Sequence, residues 1–281
     1  MIARSFQAMG TTVEAWCRSV DDLAGLRSWF EEVESRFSRF RPDSELSRLN
    51  DNPASAVTVS EAMAELLREG DRARSITAGL VDIGVGAAVE GWGYSSTFEK
   101  VTDCDEAPGH FAVPGWRIDG PRFERAPGTR IDLGGIAKGW TCDRAVESGL
   151  ASVVSAGGDM RSADPDTIAC VLDDRGNVAA RVRLGRGALA TSSTSRRVWK
   201  VDGRAVSHIM DPSTMAPMSG PVLSATVVAS TALDAEIGAK AVLLHGVDGL
   251  AWAEEQSWVR SAVVVWQDGS VFATVGTELA A

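Results

Sequence analysis

The sequence predicts an α+β fold: a single two-lobed domain over residues 1–281, with mixed or antiparallel sheets and flanking helices. Three observations predict it. Some stretches repeat apolar residues at helical spacing, while others alternate them or run them together in short bursts. The two kinds of stretch do not follow the regular βαβ order that builds a parallel sheet. No internal repeat or low-complexity linker divides the chain, and 281 residues with 44% hydrophobic content are enough to bury a full core.

Taken in order, "TTVEAWC" (11–17) reads as a strand. Residues 21–40 read as a helix, because Leu23, Leu26, Phe30, Val33 and Phe37 recur every three or four positions. After Pro42, Ser44 is placed to cap a short helical turn ending near Asn50. A second helix covers about 60–75. Glycines at 84, 86, 91 and 93 blur the next stretch, "TDCDEAPGH" is an exposed acidic loop, and 112–133 reads as short strands with turns. A helix follows over 137–149. Strands are expected at 151–155, 167–172, 177–184, 196–201 and 223–230, then a helix over 232–245. "SAVVVW" and "SVFATV" close the chain as a hairpin turning on "QDG".

A formal net charge of −10 argues against nucleic acid or an anionic membrane as partner, so any phosphate needs a local site. Cys17, Cys104, Cys142 and Cys170 show neither a C-x-x-C pair nor zinc-like spacing, which fits a reducing compartment. No stretch approaches the ~18 apolar residues of a membrane span, and the N-terminus lacks a signal-peptide core. A cytoplasmic protein is the expectation.

Four stretches carry chemistry. "RIDLGGIAKGWTCDRAVE" (130–147) ends a strand at Ile131–Leu133, turns on Gly134 and Gly135, and opens a helix near Ala137. Unpaired amides at a helix start attract an anion, glycines let it approach, and Lys138 adds positive charge. The spacing is neither a dinucleotide fingerprint nor a P-loop. "SAGGDMRS" (155–162) is a second strand end with paired glycines, followed by Asp159. "ALATSSTSRR" (188–197) supplies hydroxyls and arginines, and "SHIMDPSTMAPMSGP" (207–221) supplies His208, Asp211 and Pro212 in a loop.

In this order, "MGT" at 9–11, "SELSRLN" at 44–50, "DLGGIAKGWTCD" at 132–143, "AGGD" at 156–159, "ATS" at 190–192 and "HIMDPSTMAP" at 208–217 resemble the FAD:protein FMN transferases. These are the ApbE-type flavin transferases, and the resemblance covers nearly the whole chain. It implies an ApbE-like, T-fold-like architecture. It also implies a metal-dependent transferase that hands the FMN half of FAD to a threonine or serine hydroxyl of an acceptor flavoprotein and releases AMP. A divalent cation, usually magnesium (Mg2+), would neutralise the pyrophosphate. Two alternatives stand beside it: an FAD-binding protein that transfers nothing, and an FAD pyrophosphatase giving FMN and AMP.

By position, Met9, Phe40, Ala78, Gly79, Leu80, Asp132, Lys138 and Ile209 match the family's FAD-contacting places. Phe40 stands where tyrosine is common, so stacking survives without the phenol hydrogen bond. His208 is carried as a candidate general base, against the plainer reading of a structural hydrogen-bonder. Met215 stands where the family often has glycine.

The family's metal helix fits "LDAEIGAKAVLLHG" in two registers, Asp234 with Gly238 or Glu236 with Lys240, and the position of Gly246 favours the second. Glu236 and Lys240 then replace the usual carboxylate and threonine. Their spacing of four also suits an ordinary solvent ion pair, worth ~0.2–0.5 kcal/mol. Two functional readings follow. Either Glu236 holds a cation together with a backbone oxygen near Gly135, or the Lys240 ammonium takes over part of the cation's electrostatic task.

Overall fold

The computed structural model describes residues 2–173 and 175–278. Among them seven α-helices form: α1 (Val20–Phe37), α2 (Glu45–Asp51), α3 (Glu61–Ile76), α4 (Gly86–Gly91), α5 (Ala137–Glu147), α6 (Ala232–His245) and α7 (Gly249–Glu255). Mixed helices and antiparallel sheets confirm the α+β class. The chain divides into two compact units, one built from Met1–Glu32, Ala137–Ser195 and Gly220–Ala281, the other from Val33–Ile136 and Arg196–Ser219. The division falls within α1.

The first unit is organised on an eight-stranded sheet. Its strands run Ile2–Ala8, Thr11–Cys17, Val153–Ala156, Asp159–Ser162, Gly187–Ser193, Val222–Ala229, Val259–Trp266 and Val271–Ala273, each antiparallel to its neighbours. Two hairpins turn in two residues. Met9 and Gly10 have φ of 51° and 66°, and Gly157 and Gly158 have φ of 63° and 109°. Left-handed conformations at both central positions match the right-handed twist of the flanking strands. Because Val13 pairs with Ala156, and the Gly157 amide donates to the Thr12 carbonyl, these turns are neighbours at one end of the sheet. The Thr191 amide donates to the Gly158 carbonyl and brings the "ATS" segment to the same end.

Helices α5 and α6 pack together, and α6 lies on the strands Gly187–Ser193 and Val222–Ala229. Small residues in the first of these strands, Gly187, Ala188, Ala190 and Ser192, leave room for it. Nearly every side of α6 is buried: Ala232, Leu233, Ala235, Ile237, Ala239, Ala241, Val242 and Leu243 all belong to the core. A helix apolar all round is a core helix, so a carboxylate on it needs partners.

The motif "AKGWTCD" is the device that docks the two helices. Gly139 lies so close to α6 that an added Cβ would stand 2.6 Å from the Ala232 carbonyl oxygen. One turn later, Asp143 accepts from the amides of Ala232 (2.8 Å) and Leu233 (2.9 Å), and Thr231 caps the same helix by accepting from the Asp234 amide. Burial raises the Asp143 pKa to about 6 against those amide bonds.

The second unit holds a three-stranded sheet (Ala56–Thr58, Arg122–Arg125, Trp116–Asp119), helices α2 to α4 and two small hairpins, Val198–Val201 with Arg204–Ser207 and Met210–Asp211 with Ala216–Pro217. Ser44 caps α2 and Ser60 caps α3, each accepting from the amide three residues on. Residues 131–133 form no strand. The buried Asn50 side chain takes the place of a ladder neighbour: it donates to the Ile131 carbonyl and accepts from the Ile131 amide, both at 2.8 Å. No helix among the described residues is long and apolar enough to cross a membrane.

Gly139→Ala separates packing from propensity. Alanine is the better helix former by about 1 kcal/mol, yet the carbonyl blocking its Cβ makes overpacking dominant. Urea denaturation is expected to show a loss of about 1–3 kcal/mol; a raised midpoint would refute the docking role.

Candidate functional site

In the first unit four charged side chains meet at the start of α5. The Lys138 ammonium lies 2.6 Å from Glu236 Oε1 and 2.8 Å from Asp159 Oδ2. The other Glu236 oxygen, Oε2, accepts from the Gly139 amide at 2.9 Å. The Lys240 ammonium stands 3.4 Å from Glu236 Oε1. Asp159 is delivered by the Gly157–Gly158 turn, Glu236 and Lys240 by successive turns of α6.

Formal charges within this group cancel, two positive against two negative. Their exposure does not. The carboxylate side chains of Glu236 and Asp159 are 1% and 3% accessible, whereas those of Lys138 and Lys240 are 18% and 17% accessible. The group therefore buries its carboxylates, and what remains accessible of it belongs to the lysine side chains. Burial alone would lower the Lys138 pKa, but Asp159 and Glu236 overcome it and hold the ammonium firmly protonated. Burial would likewise raise Glu236, and Lys138 and Lys240 reverse the effect, so it is held below its ordinary value. Asp159 is raised to about 6 by burial and by repulsion from Glu236, against the pull of the two lysines.

This donor set does not fit a divalent cation. Both Glu236 oxygens are already engaged, and a metal placed on either would sit beside two ammonium groups. No group of three or more His, Cys, Asp or Glu residues among those described is arranged to hold a metal. Gly135 belongs to the turn preceding α5 and is part of the second unit.

The second unit assembles a cationic and aromatic cluster. The Arg39 guanidinium lies over the rings of Phe40 (4.1 Å) and Tyr94 (4.6 Å), and its Nε is 3.0 Å from Asp132 Oδ2. Asp132 Oδ1 accepts from the Gly134 amide at 2.7 Å, which closes the tight turn of "DLGG". Tyr94 packs against Phe40, Trp199 and, edge-on, His208. The Trp92 and Trp199 indoles donate to the carbonyls of Met215 and Trp92, tying the "GWG" segment into this cluster.

The structure thus brings Lys138, Glu236 and Lys240 together, and links Phe40, Asp132 and His208 through Arg39 and Tyr94. Ala78 and Gly79 form the left-handed end of α3, with φ of 50° and 89°, and Leu80 follows them half-buried. Met9 forms a hairpin turn, and Ile209 is buried beside His208. Two expectations change. The amide of Gly139 is not open to an outside anion, because Glu236 occupies it. Glu236 and Lys240 are not a solvent pair, because the carboxylate is inside the core. Gly238 packs on Val227 and Trp258, so the register using Asp234 and Gly238 would turn one of its positions away from Lys138. Sequence reasoning passed over Arg39, for which it holds no signal beyond adjacency to Phe40. It also left Asp159 out of the site, although "AGGD" contained it.

A family model described as "ApbE family" matches residues 9–263. The chain is 30% identical over 260 residues to an FAD:protein FMN transferase of Vibrio cholerae serotype O1, covering 85% of this chain and 78% of that one. It is 27% identical over 243 residues to one of Escherichia coli K12, covering 78% and 69%. Among solved structures, it resembles an ApbE protein of Thermotoga maritima with TM-score 0.85 and 26% identity, covering 98% and 97%. It resembles the flavin transferase ApbE of Vibrio cholerae with TM-score 0.81 at the same identity and coverage.

Removing one partner from a buried ionic group strands the others, at a cost of about 3–5 kcal/mol. Glu236→Gln, which leaves Lys240 without its carboxylate, is expected to lower the unfolding free energy on that scale, with Glu236→Gln/Lys240→Met recovering part of it. A loss of only ~0.2–0.5 kcal/mol would restore the solvent-pair reading.

Proposed function

The chain belongs to the ApbE family, and we propose that it is an FAD:protein FMN transferase: it takes FAD as substrate, passes the FMN half to a hydroxyl of an acceptor protein and releases AMP. The acceptor is a flavoprotein carrying a threonine or serine at its attachment site. We place the enzyme in the cytoplasm, because all four cysteines are free.

In the reaction, the acceptor oxygen attacks the phosphorus on the riboflavin side of the pyrophosphate. The bond from that phosphorus to the bridging oxygen breaks, and AMP departs with that oxygen. Charge accumulates on the departing phosphate, and fixed positive charge in a partly dry site is the means of stabilising it. The observation that carries the reading is the pair of partly exposed lysines, Lys138 and Lys240, set on buried carboxylates. Lys138 needs no proton adjustment to bind an anion, because its two carboxylates keep it charged.

In the second unit, Phe40 is half-buried against the buried Tyr94 ring and Arg39 side chain, and is the aromatic ring left to meet a flavin. Phe40, Ala78, Gly79, Leu80, Asp132 and Ile209, with Met9 and Lys138, are the proposed FAD-contacting residues. His208, half-buried against Tyr94, is the proposed base for the acceptor hydroxyl. The magnesium expected at Glu236 and Gly135 is given no step here, since the donors present do not suit it.

Incubation with FAD and a threonine-bearing acceptor tests the reading. Flavin is expected to become covalently attached to the acceptor with one AMP released for each attachment, read by mass spectrometry and chromatography. Equal AMP without acceptor would make the protein an FAD hydrolase. FAD bound and recovered intact would make it a carrier.

A further inference from the structure

The reading as a transferase leaves open what neutralises the pyrophosphate, and the charged group on α5 and α6 bears on it directly. Three observations converge. Both Glu236 oxygens are engaged: Oε1 faces Lys138 and Lys240, and Oε2 accepts from the Gly139 amide. The Glu236 and Asp159 side chains are buried while those of both lysines are partly exposed, so the accessible part of the group belongs to lysine and not to carboxylate. The amide bond to Glu236 is fixed by the helix docking itself, because Gly139 is pressed against Ala232.

A divalent cation would have to approach through two like charges and displace a buried ion pair. An anion meets no such barrier. Lys240 reaches Glu236 from one turn further along α6, and its charge centre therefore lies beside the carboxylate that would otherwise ligate the metal. Lysine holds that place without ligand chemistry: it has three donors, no acceptor, and a fixed charge.

We propose that Lys240, rather than a divalent cation, supplies the second positive charge beside Glu236, so that FAD binding and FMN transfer by this chain proceed without added metal. The proposal rests on the transferase reading, and its test keeps the two apart.

The full chain is treated with a chelator and mixed with FAD, and its melting temperature is compared with that in magnesium. An FAD-induced upshift of the same size in both, with AMP release to acceptor also unchanged, is expected. Titration with manganese alone should show no saturable binding by calorimetry or by loss of its free-ion resonance signal. Lys240→Thr, which replaces the charge with an oxygen ligand, should weaken FAD binding in chelator by about tenfold, the scale of one charge-assisted contact. Manganese or magnesium should then restore it. Lys240→Arg, which keeps the charge, serves as a second variant should threonine unfold the site, and is expected to remain indifferent to chelator.

Loss of the FAD upshift or of AMP release on chelation of the unaltered protein, with recovery in magnesium, would overturn the proposal and leave the transferase reading standing. A melting temperature unmoved by FAD with or without metal would instead overturn the transferase reading, and the proposal with it.

Discussion

The arrangement depends on a reciprocal exchange between two helix starts. Helix α6 gives Glu236 to the Gly139 amide of α5, and α5 gives Asp143 to the Ala232 and Leu233 amides of α6. Each carboxylate meets the positive end of the other helix, where unsatisfied amides and the helix dipole favour negative charge. Gly139 makes the exchange geometrically possible, since any side chain there would hold the backbones apart. The charged group is a consequence of this docking: once Glu236 is committed to the amide, its second oxygen is aimed at Lys138, whose own position is fixed one residue before Gly139.

Burying Glu236 in a core helix is expensive unless both its oxygens are partnered. The chain meets them with a backbone amide and two ammoniums, and the energetic reason for two lysines lies in Asp159. With a single lysine the group would carry a net negative charge in a dry setting, and one carboxylate would have to take a proton. Lys240 balances the count. The role proposed for this lysine draws on the same charge that makes the buried carboxylates tolerable.

Much of the fold was legible because its signals are local. Ser44 and Ser60 announce their helices, the apolar spacing of α1 and the buried run at 222–229 are unmistakable, and α6 was read over its observed span of 232–245. What escaped lacked such signals. The strand Ile2–Ala8 is largely exposed and carries no alternation, Gly187–Ser193 is made of residues with weak strand preference, and α7 has only seven residues. Residues 131–133 read as a strand because Ile131 and Leu133 are apolar, yet the Ile131 backbone pairs with the Asn50 side chain, and residues 83–86 give the segment only an isolated bridge. The site was legible in its members more than in its partnerships. Lys138, Glu236 and Lys240 were visible through the family resemblance, but nothing local says that Lys138 faces Glu236 across 98 residues, nor that Arg39 joins Phe40 to Asp132.

Backbone conformation carries a further part of the information in these motifs. Among the described residues five non-glycines have positive φ: Met9, Ala78, Arg197, Asp202 and Met215. Such a conformation costs of order 1 kcal/mol for an L-residue and persists where surrounding structure enforces it. Met215 explains a departure noted in the sequence, since glycine is the residue its φ of 53° favours, and the Asp211 carbonyl and Trp92 indole hold it there. Met9 and Ala78 stand beside glycines, at turns where a second glycine would have been the easier choice. A side chain kept at a strained position is more readily understood by what it touches than by what it does for the turn. Gly10, Gly79 and the Gly157–Gly158 pair carry the shape of these turns, and the positive φ of Met9 and Ala78 is held by the structure around them.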